Sequence, residues 1–158
     1  MSEDKEAYVS LSLAQALKRI GFDVPVRSFY QEPLPGTELE RLFIGDLEGF
    51  RNERHDIPFS LEDWNHTDSA KNDRLHYSCP TLAVAQRWLR EVHHVSVEGG
   101  WARLPDNYVT MVIVPRSLEE LFGKDFKIGV QARGFSSYEK AVEWGIEFVA
   151  KALLKGGE

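Results

Sequence analysis

Residues 80–97 read PTLAVAQRWLREVHHVSV, and the change of period inside this stretch decides the fold class. Pro80 is tolerated in a first helical turn, and the Thr81 hydroxyl can accept one of the orphan N–H groups there. Leu82, Ala85, Leu89 and Val92 recur at helical spacing with Trp88 beside them, while Gln86, Arg87, Arg90 and Glu91 fall on the other side. The spacing predicts a helix over 81–93 with an inward apolar stripe and an Arg87–Glu91 pair at i, i+4. The period then shortens to that of a strand at about Val95–Glu98. Further strands are expected at Tyr108–Val114 and Phe126–Arg133, with breaks at Gly99-Gly100 and Pro105–Asn107. Ser117 to Glu120, between the last two, has the spacing of a helix start for one short turn.

Two more helices lie outward from this centre. Ser10 or Ser12 can cap a helix to Ile20 whose Leu13, Ala16, Leu17 and Ile20 form one stripe. Gly21 then suits a left-handed terminal position, and Phe22 can fold back on the last turn. A long final helix starts at Ser136, with Tyr138, Ala141, Val142, Gly145, Val149, Ala152 and Leu153 on one side. A glycine on that stripe predicts close approach to a neighbouring backbone. Between Asp23 and Ser78 the pattern is irregular. VPVRSFY reads as a short strand, PLPG as a turn, and Thr37 to Phe43 as a turn or two of helix. Residues 51–78 are polar, with anchors at Ile57, Phe59, Leu61, Trp64, Leu75 and Tyr77. The expected architecture is a single α+β domain over 1–158, with a long irregular region at about 45–78. Two or three main helices pack on one face of a small, mostly antiparallel three-stranded sheet.

Composition narrows the class. The chain has 158 residues, 42% hydrophobic and 28% charged, which suits one domain with a real core. No run approaches the roughly 20 apolar residues of a membrane helix, and the opening MSEDKEAY is unlike a signal peptide. One cysteine, Cys79, allows neither an internal disulfide nor a thiolate zinc cluster, so a cytoplasmic setting is expected. The net charge is −6, with 9 basic and 15 acidic residues in 1–79 and 10 of each in 80–158. That balance disfavours generic nucleic-acid binding.

Candidate chemistry is sparse. Cys79 stands before a helix with His76 nearby, a spacing that can activate a thiol, but no oxyanion-hole motif accompanies it. His93 and His94 are adjacent, so on a helix they diverge by about 100° and do not chelate one ion together. His55, His66 and His76, with Asp63 and Asp68, show no HxxxH or HExxH spacing. No catalytic residue, metal ligand or cofactor is therefore assigned. Arg87 and Arg90, followed by a strand pair with Trp101 and Arg103, resemble a winged-helix layout, although residues 80–116 carry four basic and three acidic side chains. Trp64 and Trp101 stand in loop contexts, where an exposed tryptophan marks a binding spot.

Three segments carry a family resemblance: VSLSLAQALKRIGFD (9–23), PTLAVAQRWLREVHHVSV (80–97) and FSSYEKAVEWGIEFVAKAL (135–153). Together they cover about a third of the chain. They resemble a group of small phage- and prophage-type bacterial proteins that pair a P-T-x-x-x-A-Q-x-W-L-R-E helix with a Y-E-x-A C-terminal helix. The resemblance implies a mobile-element context and supplies no catalytic residues. The expected function is a non-enzymatic accessory or protein-interaction protein, with an unidentified protein partner or self-association and no membrane contact. Arg87, Arg90, Trp101, Arg103 and Trp64 are the candidate interaction surface. The alternative is a nucleic-acid-binding regulator using helix 81–94 and the hairpin after it.

Overall fold

The computed structural model describes residues 7–31, 41–43, 63–66, 76–104 and 106–156. The chain is α+β and divides into two compact units, one Val9–Pro80 and the other Thr81–Glu158 together with Met1–Tyr8. The expected helix near Thr37, the PLPG turn and the anchors Ile57, Phe59, Leu61 and Leu75 lie outside the described residues.

In the Val9–Pro80 unit, helix α1 spans Leu11–Arg19. Ser10 is its cap, its hydroxyl accepting from the Leu13 N–H at 3.3 Å. Gly21 sits at φ 95°, and the Phe22 N–H closes back to the Leu17 carbonyl at 3.0 Å. This is the terminal motif the Gly21-Phe22 pair predicts, and it buries Phe22 completely. Strands β1 (Phe29–Gln31), β2 (Arg41–Phe43) and β3 (His76–Ser78) form an antiparallel sheet in the order β2-β1-β3. This second sheet is shorter than sequence periodicity can register, because each strand has only three residues.

Polar groups hold this unit together. A 3₁₀ turn at Trp64–His66 places Asn65 in the interior. The Asn65 N–H donates to the Ser78 hydroxyl at 3.2 Å, and its side-chain oxygen accepts from the Ser78 N–H at 2.9 Å. Its amide nitrogen donates to the Phe22 carbonyl at 2.9 Å. One side chain thus joins the 3₁₀ turn, strand β3 and the end of α1. The Lys18 ammonium adds a donor to the His76 carbonyl at 2.9 Å and lies over the Tyr77 ring.

The second unit begins with helix α2, Leu82–Trp88, capped by the Thr81 hydroxyl accepting from the Val84 N–H at 3.2 Å. The helix does not run on regularly to His93. Residues Leu89–His93 form a π-helical turn, and His94 ends it in the left-handed region at φ 60°. The Leu89 carbonyl accepts from the N–H groups of both His94 and Val95. A π turn takes more residues per revolution than an α turn, so side chains beyond Leu89 rotate out of register. Leu82, Ala85, Trp88 and Leu89 are buried accordingly, whereas Val92, expected inward, is 53% exposed.

Strands β4 (Ser96–Trp101), β5 (Tyr108–Ile113) and β6 (Gly129–Phe135) form an antiparallel sheet in sequence order. A 3₁₀ segment, Arg116–Phe122, fills the connection before β6, where one short turn is expected. Helix α3, Tyr138–Gly156, covers one face. Its cap is Ser137, one residue later than the Ser136 of the sequence pattern, accepting from the Lys140 N–H at 3.1 Å. The inward face of α3 is Ala141, Val142, Gly145, Ile146, Val149, Ala150 and Ala152. At Gly145 a Cβ would lie 2.5 Å from Thr110 Cγ2 and 2.6 Å from Val97 Cγ1. The close approach is therefore to sheet side chains, not to a neighbouring backbone. The Thr110 hydroxyl also donates to the Ala141 carbonyl, pinning β5 to the first turns of the helix. An aromatic group from Phe122, Phe126, Phe135, Trp144 and Phe148 packs beside α3, with Trp144 stacked on Phe148 at 5.2 Å.

Two substitutions test these contacts. Gly145→Ala is expected to lower unfolding stability by about 1–3 kcal/mol through overpacking, and Gly145→Val by more. Asn65→Leu leaves the Ser78 N–H unpaired in the interior and is expected to cost about 1–3 kcal/mol. Urea titration followed by circular dichroism reads both.

Candidate functional site

The α3 helix lies on the side of the sheet to which Val97, Thr110 and Val112 point, all fully buried. Side chains alternate along a strand, so Glu98 and Gly100 of β4 and Val109, Met111 and Ile113 of β5 belong to the opposite face. Gly100 confirms this: a Cβ there would meet Val109 and Met111 at 3.4 Å. On β6, Val130 pairs with Met111 and Gly129 with Val112. Continuing that register by one residue sets Ile128 beside Ile113. Met111, Ile113, Ile128 and Val130 therefore form one apolar cluster on the face away from α3. Ile113 is 54% exposed, Ile128 55% and Val130 42%. The sequence pattern marks these residues as strand and gives no sign that one face stays open.

The sheet edges are treated differently from this face. Beside β4, the Gln86 side chain of α2 donates to the Val97 carbonyl at 2.8 Å. Across the sheet, β6 shifts register twice, between the partners of Tyr108 and Thr110 and again between those of Thr110 and Met111. Gly134 occupies φ 85° within the first shift. Bulges twist an edge strand away from flat pairing, and a side chain on an edge carbonyl competes with an incoming strand. The exposed part of the face away from α3 is at Ile113, Ile128 and Val130, whereas Val109 on the same face is buried.

The residues singled out from the sequence fall in three places. Arg87 and Arg90 are exposed on α2 and its π turn. The expected Arg87–Glu91 pair does not form; Arg90 instead approaches Glu98 of β4 at 3.9 Å. The four-residue spacing runs into the widened turn, and Glu98 offers Arg90 a partner on the sheet. Trp101 and Arg103 lie at the β4–β5 hairpin, Arg103 at φ 68°. Trp101 is 62% exposed, and its indole N–H donates to the Leu104 carbonyl at 3.1 Å, fixing the ring at the hairpin tip. Trp64 belongs to the other unit and is half-buried there, stacked on Phe29 at 4.0 Å and donating to the Val26 carbonyl at 2.7 Å. Its geometry is that of a packing residue.

The groups with reactive potential are dispersed. Cys79 is completely buried, its thiol turned to the Val9 carbonyl at 3.5 Å. His66 is close to Asp63 at 2.6 Å in an exposed turn, and His76 is buried beside Phe29 and Trp64. Among the described residues no three His, Cys, Asp or Glu side chains come together to hold a metal ion. An open depression lined by Glu119, Glu120, Gly123, Lys124 and Phe126 carries mixed charge and no nucleophile. Among the described residues no helix is long and apolar enough to cross a membrane.

Among the described residues of this unit, His93 is the group whose ionisation the fold displaces. Its ring meets the edge of Trp88 at 4.9 Å, and its Nε2 is buried with no hydrogen-bond partner among the described residues. Burial, and secondarily the neighbouring His94, push its pKa below 6.5. The unfolded chain takes up this proton near pH 6.5, and the folded chain resists it. The stability contribution is complete above that pH and is lost as pH falls through the folded pKa. His93→Phe, which keeps a ring against Trp88, is expected to flatten the decline in stability below pH 6.5; urea midpoints from pH 7.5 to 5 measure the slope.

Compared with family models, curated proteins and solved structures, the chain matches none of them.

Proposed function

We propose that this chain is a non-enzymatic protein-interaction module whose docking surface is the open face of the β4-β5-β6 sheet. The observation that carries this reading is the cluster of Met111, Ile113, Ile128 and Val130 on a face that α3 leaves uncovered. Isolated exposed apolar residues are ordinary, but adjacent ones across two paired strands form a contiguous patch of the kind partners bury. Strand residues are also rigid, so little ordering cost accompanies docking on them. The sequence resemblance to phage- and prophage-type proteins supports an accessory role in a mobile-element setting.

The nucleic-acid alternative draws less support from the same unit. Of the two arginines it relies on, Arg87 of α2 and Arg90 of the π turn, Arg90 faces Glu98. The hairpin that would serve as a wing presents Trp101 and Leu104 with the single cation Arg103 among its described residues. Phosphate contacts need several cations on one surface to compete with salt.

A photo-crosslinking residue at position 128 tests the docking face directly. Illumination of the producing cell is expected to give one discrete, saturable protein adduct, identified by mass spectrometry and lost on adding Val130→Lys. The same crosslinker at Lys151, exposed on α3, gives no such adduct. Equal labelling at both positions, or an adduct unaffected by Val130→Lys, overturns the reading.

A further inference from the structure

The joint between α2 and β4 holds one of two registers open to the same residues. In the π turn the Leu89 carbonyl accepts from His94 and Val95, and the His93 ring meets the edge of Trp88 at 4.9 Å. Trp88 and His93 are five residues apart. In a continuous α-helix such residues point about 140° from one another and do not touch. A turn closed by i→i+5 hydrogen bonds carries them to one side, so this ring contact belongs to the π register alone. In an α register the neighbour of Trp88 is the residue four positions on, Val92. There Val92 continues the stripe of Ala85 and Leu89, and Arg87 stands one turn from Glu91. The structure shows the other state: Val92 is 53% exposed, and it is Arg90 that approaches a carboxylate, Glu98. His93 and Val92 thus compete for one place beside Trp88.

The proton on His93 bears directly on that competition. Its Nε2 is buried with no hydrogen-bond partner among the described residues. A neutral imidazole can keep its hydrogen on Nδ1 and leave only a lone pair at Nε2. An imidazolium carries hydrogen on both nitrogens, so a charged N–H would face a site without an acceptor. The elements packed against the turn are α2 and β4. Their charged and titratable groups, with those of the turn itself, are Arg87, Arg90, Glu91, His94 and Glu98. Glu98 is approached by Arg90, and His94 opposes a charge on its neighbour. An α register would move the His93 ring away from Trp88 into the last turn of a helix, where the free carbonyls favour a cation.

We propose that Leu89–His93 is a proton-operated register switch, in which neutral His93 holds the π turn against Trp88 and protonated His93 yields that place to Val92 in an α turn. The exchange withdraws an exposed valine from solvent and adds a cation at the helix end. It also passes one residue into the link before β4, where His94 already sits at φ 60°, an uncommon conformation for a residue with a side chain. Burial and His94 hold the His93 pKa below 6.5, so the π turn is the form at neutral pH. The α turn gains as the pH falls through the folded pKa, its ratio to the π turn rising at most tenfold per pH unit.

Nuclear magnetic resonance of the full chain from pH 7.5 to 4.5 reads the exchange. At pH 7.5 a Trp88–His93 ring contact is expected, with none between Trp88 and the Val92 methyls. Below the His93 midpoint, followed on its ring protons, the first contact is expected to vanish and the second to appear. Contacts between the paired Val97 and Val112 are expected to persist throughout. His93→Phe, which keeps a ring and has no proton to gain, is expected to hold the π contacts to pH 4.5. Val92→Ser, which removes the competitor's apolar surface, is expected to reduce the α form at pH 5 several-fold. His94→Ala is expected to move the midpoint to higher pH. A Trp88–His93 contact that survives protonation of His93 overturns the proposal, as does a His93 that stays neutral to pH 4.5. So does an exchange that proceeds equally in His93→Phe, or loss of the Val97–Val112 contacts at the same midpoint, which marks unfolding in place of a switch.

Discussion

The second unit depends on the seat of α3 against β4 and β5 at Gly145. With hydrogen as its side chain, this residue lets the helix approach until Thr110 and Val97 occupy the space a methyl group would take. The approach brings the Ala141 carbonyl within reach of the Thr110 hydroxyl, so a buried polar pair is satisfied by the same contact. It also buries Val97, Val112, Val142, Ile146 and Val149 without residual exposure. Close packing of small residues at one point and branched aliphatic ones around it gives dense contact between helix and sheet. The aromatic group from Phe122 to Phe148 then closes the flank that small residues cannot fill.

One consequence is an asymmetric sheet. Committing α3 to one face leaves Met111, Ile113, Ile128 and Val130 on the other, while Gln86 of α2 bonds the Val97 carbonyl and Arg90 of the π turn approaches Glu98. An uncovered apolar face in a three-stranded sheet would invite indiscriminate strand addition if its edges were also open. The Gln86 hydrogen bond and the two register shifts of β6 oppose that at either edge. What remains is contact through side chains, which is sensitive to shape and charge in a way that backbone pairing is not.

Much of the fold is legible because periodicity reports burial. The Gly21-Phe22 ending of α1 and the centres of the α1 and α3 stripes are read from residue spacing. But Ala14, Ile146 and Ala150 are buried outside the expected stripes, Ala16, Ile20 and Leu153 are only half-buried, and Tyr138, expected inward, is exposed. The three strands of the second unit's sheet are also expected, though β4 runs on through Gly99-Gly100 to Trp101. Glycines there admit Tyr138 over one face and Met111 over the other, so they serve packing and not chain reversal. The π turn is invisible because nothing in LREVH distinguishes five residues per hydrogen-bonded turn from four. It moves Val92 outward and separates Arg87 from Glu91. The site is less legible than the fold. Whether an alternating strand has one face covered or two is decided by where helices dock, and that is a tertiary fact. Trp64 shows the converse: polar neighbours suggest exposure, yet Phe29 stacks on it across a sequence separation no local pattern spans.

The same physics explains why an apolar face can persist in a chain with a net charge of −6. The excess acidity lies in residues 1–79, while 80–158 are balanced at 10 basic and 10 acidic residues. Long-range repulsion between whole chains opposes nonspecific clustering, and the balanced half allows close approach where opposite charges align. At the β4 margin the Arg90–Glu98 pair sets both signs of charge beside the apolar cluster, so the face has no single-sign rim there.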